Sequence, residues 1–91
     1  MDVYWTVKAQ GDLERVYRFA LQYSRQHADD ILERLLNGSF DLARQPAMGK
    51  QQARYLPREV RKIVFDDYEM HYEVKSAAIF IVDLWHTKEE R

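Results

Sequence analysis

The sequence predicts an α+β domain of order β-α-α-β-β-β, an antiparallel helical hairpin packed on one face of a small sheet. Three observations carry this. Apolar residues recur at helical spacing between residues 9 and 42, the period switches to two after Pro57, and Pro46, Gly49 and Pro57 punctuate the polar stretch between those halves. The last three strands are expected to form a three-stranded antiparallel meander. At 91 residues the chain is read as one domain, 1–91, and its 46% apolar content is enough for one core and argues against disorder.

The elements follow in order. "DVYWTV" (residues 2–7) alternates bulky residues and is rich in β formers, which predicts a first strand. Ala9, Leu13, Val16, Tyr17, Ala20, Leu21 and Ser24 fall on one helical stripe, although Gly11 weakens the first turn by roughly 1 kcal/mol relative to Ala. Gln26 and His27 read as a short break. Ala28, Ile31, Leu32, Leu35, Leu36 and Leu42 then define a second helix, with Asp29 and Asp30 expected in its first turn, where the helix dipole favours them. So short a link makes the two helices a hairpin.

"ARQPAMGKQQARYLP" (43–57) reads as a surface loop, and "EVRKIVF" (59–65) as a strand. "YEMHYEV" (68–74) alternates strictly, with Tyr68, Met70, Tyr72 and Val74 on a core face and Glu69, His71 and Glu73 facing solvent. "AAIFIVDLWH" (77–86) is apolar on both faces apart from Asp83, as expected of a central strand covered on both sides. "FDDY" and "VKSAA" are short enough for hairpin turns.

Composition narrows the function. Without cysteine there is neither a disulfide nor a thiolate metal site. No apolar run approaches the ~18 residues of a membrane span, and no signal peptide is expected, so the expected location is cytoplasmic. The net charge is −1, yet Arg44, Lys50, Arg54, Arg58, Arg61 and Lys62 gather against only Asp41 and Glu59. A local basic zone of this kind can face phosphates, an acidic partner or simply water. His27, His71 and His86 lack metal-ligand spacing, so no metal and no cofactor is expected. His27 falls in the expected helix–helix turn, His71 reads as a solvated residue between two glutamates, and the Tyr68/Met70/Tyr72 stripe reads as core.

The early strand, "KAQGDLERVYRFALQ", "PREVRKIVFDDYEMHYEV" and the closing "IFIVDLWHTKEER" together resemble the RelE/ParE toxin superfamily, and most closely its ParE branch. The resemblance runs over nearly the whole chain. It implies the toxin of a type II toxin–antitoxin system, neutralised by a ParD-like antitoxin that wraps an extended or helical segment around it. A homodimer and a hetero-oligomer with the antitoxin are both open. RelE-like members cut messenger RNA on the ribosome, whereas ParE-like members bind DNA gyrase, arrest growth and stabilise plasmids.

A metal-independent ribonuclease needs a general base, a general acid and cations beside the phosphate. This sequence could supply Lys50, Arg54 and Arg61 from one region and His86 with Lys88 from another. No terminal aromatic follows His86, Asp83 and the tail glutamates bring acidic charge nearby, and the chain is slightly acidic overall. No catalytic residue is therefore favoured. The resemblance instead assigns target binding to Trp85, His86, Lys88 and Arg91, with Trp85 as an aromatic anchor. Leu36 and Phe40, off the main stripe of the second helix, are the antitoxin-binding candidates. The expected function is stoichiometric inhibition of gyrase. A ribosome-dependent mRNA endonuclease and a non-toxic ParE-fold binding partner are the alternatives.

Overall fold

The computed structural model describes residues 1–89, and it places the two ends of the sequence side by side. Strand β1 (Asp2–Trp5) runs parallel to β5 (Ala78–His86), with Asp2 opposite Ala78 and Trp5 opposite Ile81. Between them lie α1 (Val7–Leu21), α2 (Arg25–Arg44), a two-residue strand β2 (Lys50–Gln51) and one 3-10 turn (Ala53–Tyr55). Strands β3 (Glu59–Phe65) and β4 (Tyr68–Lys75) follow. The sheet order is β1-β5-β4-β3-β2.

The α+β class holds, but the sheet is five-stranded and mixed, not a three-stranded antiparallel meander. β1 joins β5 in parallel and β2 joins β3 antiparallel. Two residues are too few for alternation to register in a sequence, so β2 lay hidden inside the expected polar loop.

Capping moves the helix boundaries. Thr6 is extended and its hydroxyl accepts the Ala9 N–H at 3.1 Å, so the first strand stops at Trp5 and Val7 is already helical. The break between helices lies at residues 22–24 rather than at Gln26 and His27, because Ser24 caps α2 by accepting the His27 N–H at 3.0 Å. His27 is thus helical, and Asp29 and Asp30 fall beyond the first turn.

The helical hairpin covers one face of the sheet. Ala9, Val16, Ala20, Ala28, Ile31, Leu35 and Leu42 pack against Met70, Tyr72, Ile79, Ile81 and Leu84. The other face carries no helix. β5 is therefore not sandwiched between two layers: Phe80 on that face stacks on Tyr4 of β1, with ring centroids 5.4 Å apart. No helix of the described residues is long and apolar enough to cross a membrane.

The connection from α2 to β3 is tied down from below. The Tyr72 hydroxyl, fully buried, accepts the Gly49 N–H and donates to the Pro46 carbonyl, both at 2.8 Å. Arg61 donates to the Gly49 carbonyl at 2.7 Å and pairs with Glu59 at 2.8 Å. A Cβ on Gly49 would stand 2.7 Å from the Tyr72 oxygen and 2.9 Å from the Lys62 carbonyl oxygen, so this approach needs glycine. At the β4–β5 turn, Ser76 and Ala77 both have positive φ, as a two-residue type I′ hairpin requires. Gly49→Ala is predicted to destabilise the protein by about 1–3 kcal/mol through that overlap. Urea denaturation measures it, and an unchanged midpoint would contradict the packing described.

Candidate functional site

The alternation of β5 cannot run unbroken, because strict alternation from Ile79 and Ile81 would place Asp83 in the core. A bulge solves this. Ile81 lies opposite Tyr72, but His71 lies opposite Asp83, so Val82 is an extra residue and the phase flips. Leu84 and His86 then face the helices, opposite Met70 and Tyr68, while Asp83 and Trp85 face the open side with His71 and Glu69.

β1 has already ended at this level, its last rung being Thr6 N–H to the Ile81 carbonyl at 3.0 Å. Side chains of α1 take over. The Asp12 carboxylate accepts the Leu84 N–H at 3.1 Å, and Arg15 donates to the Leu84 carbonyl at 3.0 Å. Lys8 bridges Asp12 and Asp83, and Arg15 bonds Asp12 at 2.7 Å and Glu89 at 3.2 Å. Burial opposes ionisation of Asp12, but the hydrogen bonds from Lys8, Arg15 and Leu84 outweigh it and hold its carboxyl below the usual carboxylate range. The Lys8 pair also offsets the Asp83 charge that weighed against a phosphate nearby.

Two concavities flank this region, one on each face. On the open face a cavity of about 530 Å³ is lined by Arg54, Lys62, Glu69, His71, Asp83 and Trp85. His71 is buried there rather than solvated, at 5% exposure, because Trp85 packs edge-on against it at 4.7 Å. Its Nε2 is 3.3 Å from a Glu69 oxygen yet is not aligned for a hydrogen bond. Burial holds its pKa below the ordinary 6.5, against the opposing pull of Glu69 and Asp83.

On the helix side a groove of about 520 Å³ runs between Val16 and Phe19 of α1, Tyr23 of the turn that follows it, and Tyr68 and His86 of the sheet. Tyr68 meets His86 edge-on at 5.1 Å. The segment after β5 folds back along this groove. The Thr87 N–H bonds the Asp67 carbonyl at 2.8 Å, Lys88 N–H bonds His86 Nδ1 at 3.1 Å, and Glu89 accepts the His86 N–H at 3.0 Å.

The predicted residues therefore separate. Trp85 belongs to the open face, and His86 and Lys88 to the helix-side groove, since consecutive strand residues point oppositely. Arg91 lies outside the described residues. Arg54 borders the open-face cavity, with its guanidinium 4.8 Å from the Tyr55 ring, whereas Arg61 shares the helix side with Tyr72 and is committed to the loop carbonyls. Leu36 is half-buried on α2 and Phe40 is exposed one turn further on. Lys8, Asp12 and Arg15 were missed, and Lys62 was noted only as part of the basic zone. Asp12 had a readable signal: a lone carboxylate on the stripe of Ala9, Val16 and Ala20 needs a buried partner.

Comparison with known proteins places the chain in context. The model of a family described as ParE toxin of type II toxin-antitoxin system, parDE, matches residues 3–91. No curated protein sequence matches. Among solved structures, "Chromosomal ParDE TA system from P. aeruginosa" has a similar fold, with TM-score 0.76 over 94% of this chain and 95% of that one, at 20% identity.

The His71 geometry yields a pH dependence. A histidine whose folded pKa is depressed leaves stability intact above its unfolded pKa and removes it as pH falls through the folded value. The melting temperature is predicted to fall as pH is lowered below 6.5, with a smaller fall in His71→Gln. Equal slopes in thermal melts of the two proteins would contradict this assignment.

Proposed function

The chain belongs to the ParE toxin family of type II toxin–antitoxin systems, and we propose that it acts as the toxin of such a pair by binding DNA gyrase stoichiometrically, without cutting RNA. The observation that carries this reading is the separation of the candidate nuclease residues. An acid and a base must both reach one scissile group within hydrogen-bond distance. Arg54 borders the open face, Arg61 is bound to the Gly49 carbonyl and Glu59 on the helix side, and His86 lies in the groove beside α1. That arrangement favours binding over chemistry.

The binding surface in this reading is the end of β5 and the segment after it. Trp85 offers an aromatic contact on one face, His86 and Lys88 offer contacts on the other, and Arg91 continues the same segment. The Arg15–Glu89 pair holds the segment in one geometry, which lowers the entropy lost when a target docks. A ParD-like antitoxin, forming a hetero-oligomer with the toxin in the cytoplasm, holds it inactive, and Leu36 with the exposed Phe40 of α2 is part of its docking surface. The ParDE assembly from P. aeruginosa supports such a partner by its likeness in fold. No cofactor enters this reading.

The purified protein is predicted to inhibit gyrase supercoiling and to accumulate cleaved DNA. The double variant His86→Ala, Lys88→Ala should weaken inhibition by about tenfold, the scale of one lost interface contact of ~1.4 kcal/mol. Messenger RNA cut at codon positions on programmed ribosomes, with supercoiling intact, would overturn the reading.

A further inference from the structure

The apolar stripe of α1 packs on the sheet, but two aromatic rings near the end of that helix stay in water. Phe19 is 56% exposed, and Tyr23, in the turn that follows, is 71% exposed. They meet edge-on at 6.0 Å, and Tyr23 meets the His27 ring at 5.5 Å. A contiguous aromatic cluster of this kind marks a binding surface, where isolated exposed rings would not. With Val16 and Tyr68, Phe19 and Tyr23 wall the helix-side groove, whose volume of about 520 Å³ is in the range of small-molecule sites.

The polar groups at its rim divide into engaged and free. Arg15 is committed to Asp12, Glu89 and the Leu84 carbonyl. Glu89 is committed to Arg15 and accepts the His86 N–H at 3.0 Å. The groups that remain are donors. Among the described residues Lys88 has no carboxylate within ion-pair distance. His86 Nδ1 accepts the Lys88 N–H at 3.1 Å, which puts the proton of the neutral ring on Nε2, a donor with no partner among those residues. The Tyr68 hydroxyl has none there either, and burial holds its pKa above the ordinary value, so it stays protonated. Aromatic walls therefore meet three free donors, one of them a full positive charge.

We propose that the helix-side groove binds a small aromatic carboxylic acid, with its ring among Phe19, Tyr23 and Tyr68 and its carboxylate at Lys88 and the His86 Nε2–H. Aromatic pairs add to the gain from apolar burial, and charge-assisted hydrogen bonds to a carboxylate are about twice as strong as neutral ones. One uncompensated cation matches a monoanion, while the Glu89 carboxylate on the same rim repels a dianion such as a phosphate monoester. A neutral apolar segment of another protein would fill the walls but leave the Lys88 charge and two donors unmatched, which decides for the acid. His86 and Lys88 also belong to the surface proposed for gyrase, so a bound acid competes with that target. This consequence rests on the gyrase reading; the binding itself does not.

The test titrates the full chain with indole-3-propionate, following backbone amide shifts by NMR, with indole-3-propionamide as the neutral isostere and propionate as the acid without a ring. The expected result is saturable shifts at the Phe19, Tyr23 and Lys88 amides, with a dissociation constant of about 1 mM or below. The acid should bind at least about fivefold tighter than the amide, and propionate should not saturate. Lys88→Gln should bring the acid down to parity with the amide, and Phe19→Ala should weaken both by at least about threefold. Both side chains are exposed, and circular dichroism melts check that the variants fold. Absence of saturable binding would overturn the proposal, as would an amide that binds the wild type as tightly as the acid. A dimer in sedimentation velocity that Phe19→Ala dissolves would overturn it in favour of an interface between copies of the chain. In a supercoiling assay the acid is expected to relieve gyrase inhibition; binding without relief leaves the site standing and removes gyrase from His86 and Lys88.

Discussion

Asp12 is the residue on which the rest of the structure turns. β5 outruns β1, so from Val82 onwards one edge of a central strand has no neighbouring strand. A buried backbone N–H left unsatisfied costs about 1–3 kcal/mol. Asp12 removes that penalty at Leu84, and Arg15 does the same for the Leu84 carbonyl, so helix α1 acts there as a substitute strand. Because the Asp12 carboxylate is itself nearly inaccessible, it needs both Lys8 and Arg15 to remain charged. The same two cations reach on to Asp83 and Glu89 and thereby fix the strand end and the segment after it.

That anchoring permits the bulge at Val82, and the bulge assigns residues to faces. One phase before it buries Ile79 and Ile81; the shifted phase after it buries Leu84 and keeps Asp83 out of the core. The consequence is a sheet with two chemically different sides. The helix side ends in an aromatic groove bordered by Tyr68 and His86, and the open side ends in a concavity that sets Arg54 and Lys62 against Glu69 and Asp83, with a buried histidine for a wall. A contiguous stretch such as Trp85–His86–Thr87–Lys88 is therefore not one surface.

Much of this was legible in the sequence, and the failures have physical causes. The two helices announced themselves because a stripe of six apolar residues in each sustains a 3.6-residue period, and the family could be read from element order and the closing apolar-Trp-His signature. Helix ends were misplaced because Thr6 and Ser24 cap through side-chain hydrogen bonds that hydrophobic periodicity does not sense. His71 was misread because alternation says which face a residue takes but not what covers that face; the cover is Trp85, delivered by a shifted register. The open-face cavity was out of reach for the same reason: it depends on pairing Lys50 with Lys62 through a strand two residues long.

The pairing of β1 with β5 has a bearing on how the molecule comes into being. Asp2 meets Ala78, so the sheet's parallel rung closes a loop of nearly the whole chain, among the slowest kinds of contact to form. The α1–α2 hairpin and the β3–β4 hairpin, by contrast, are local. During synthesis the helices can assemble while their apolar stripe still lacks the strand it is meant to cover, and only the emergence of β5 supplies Ile79, Ile81 and Leu84. The nascent chain thus passes through a stage in which the concavities bordered by β5 do not yet exist and the apolar face of its helices is still uncovered.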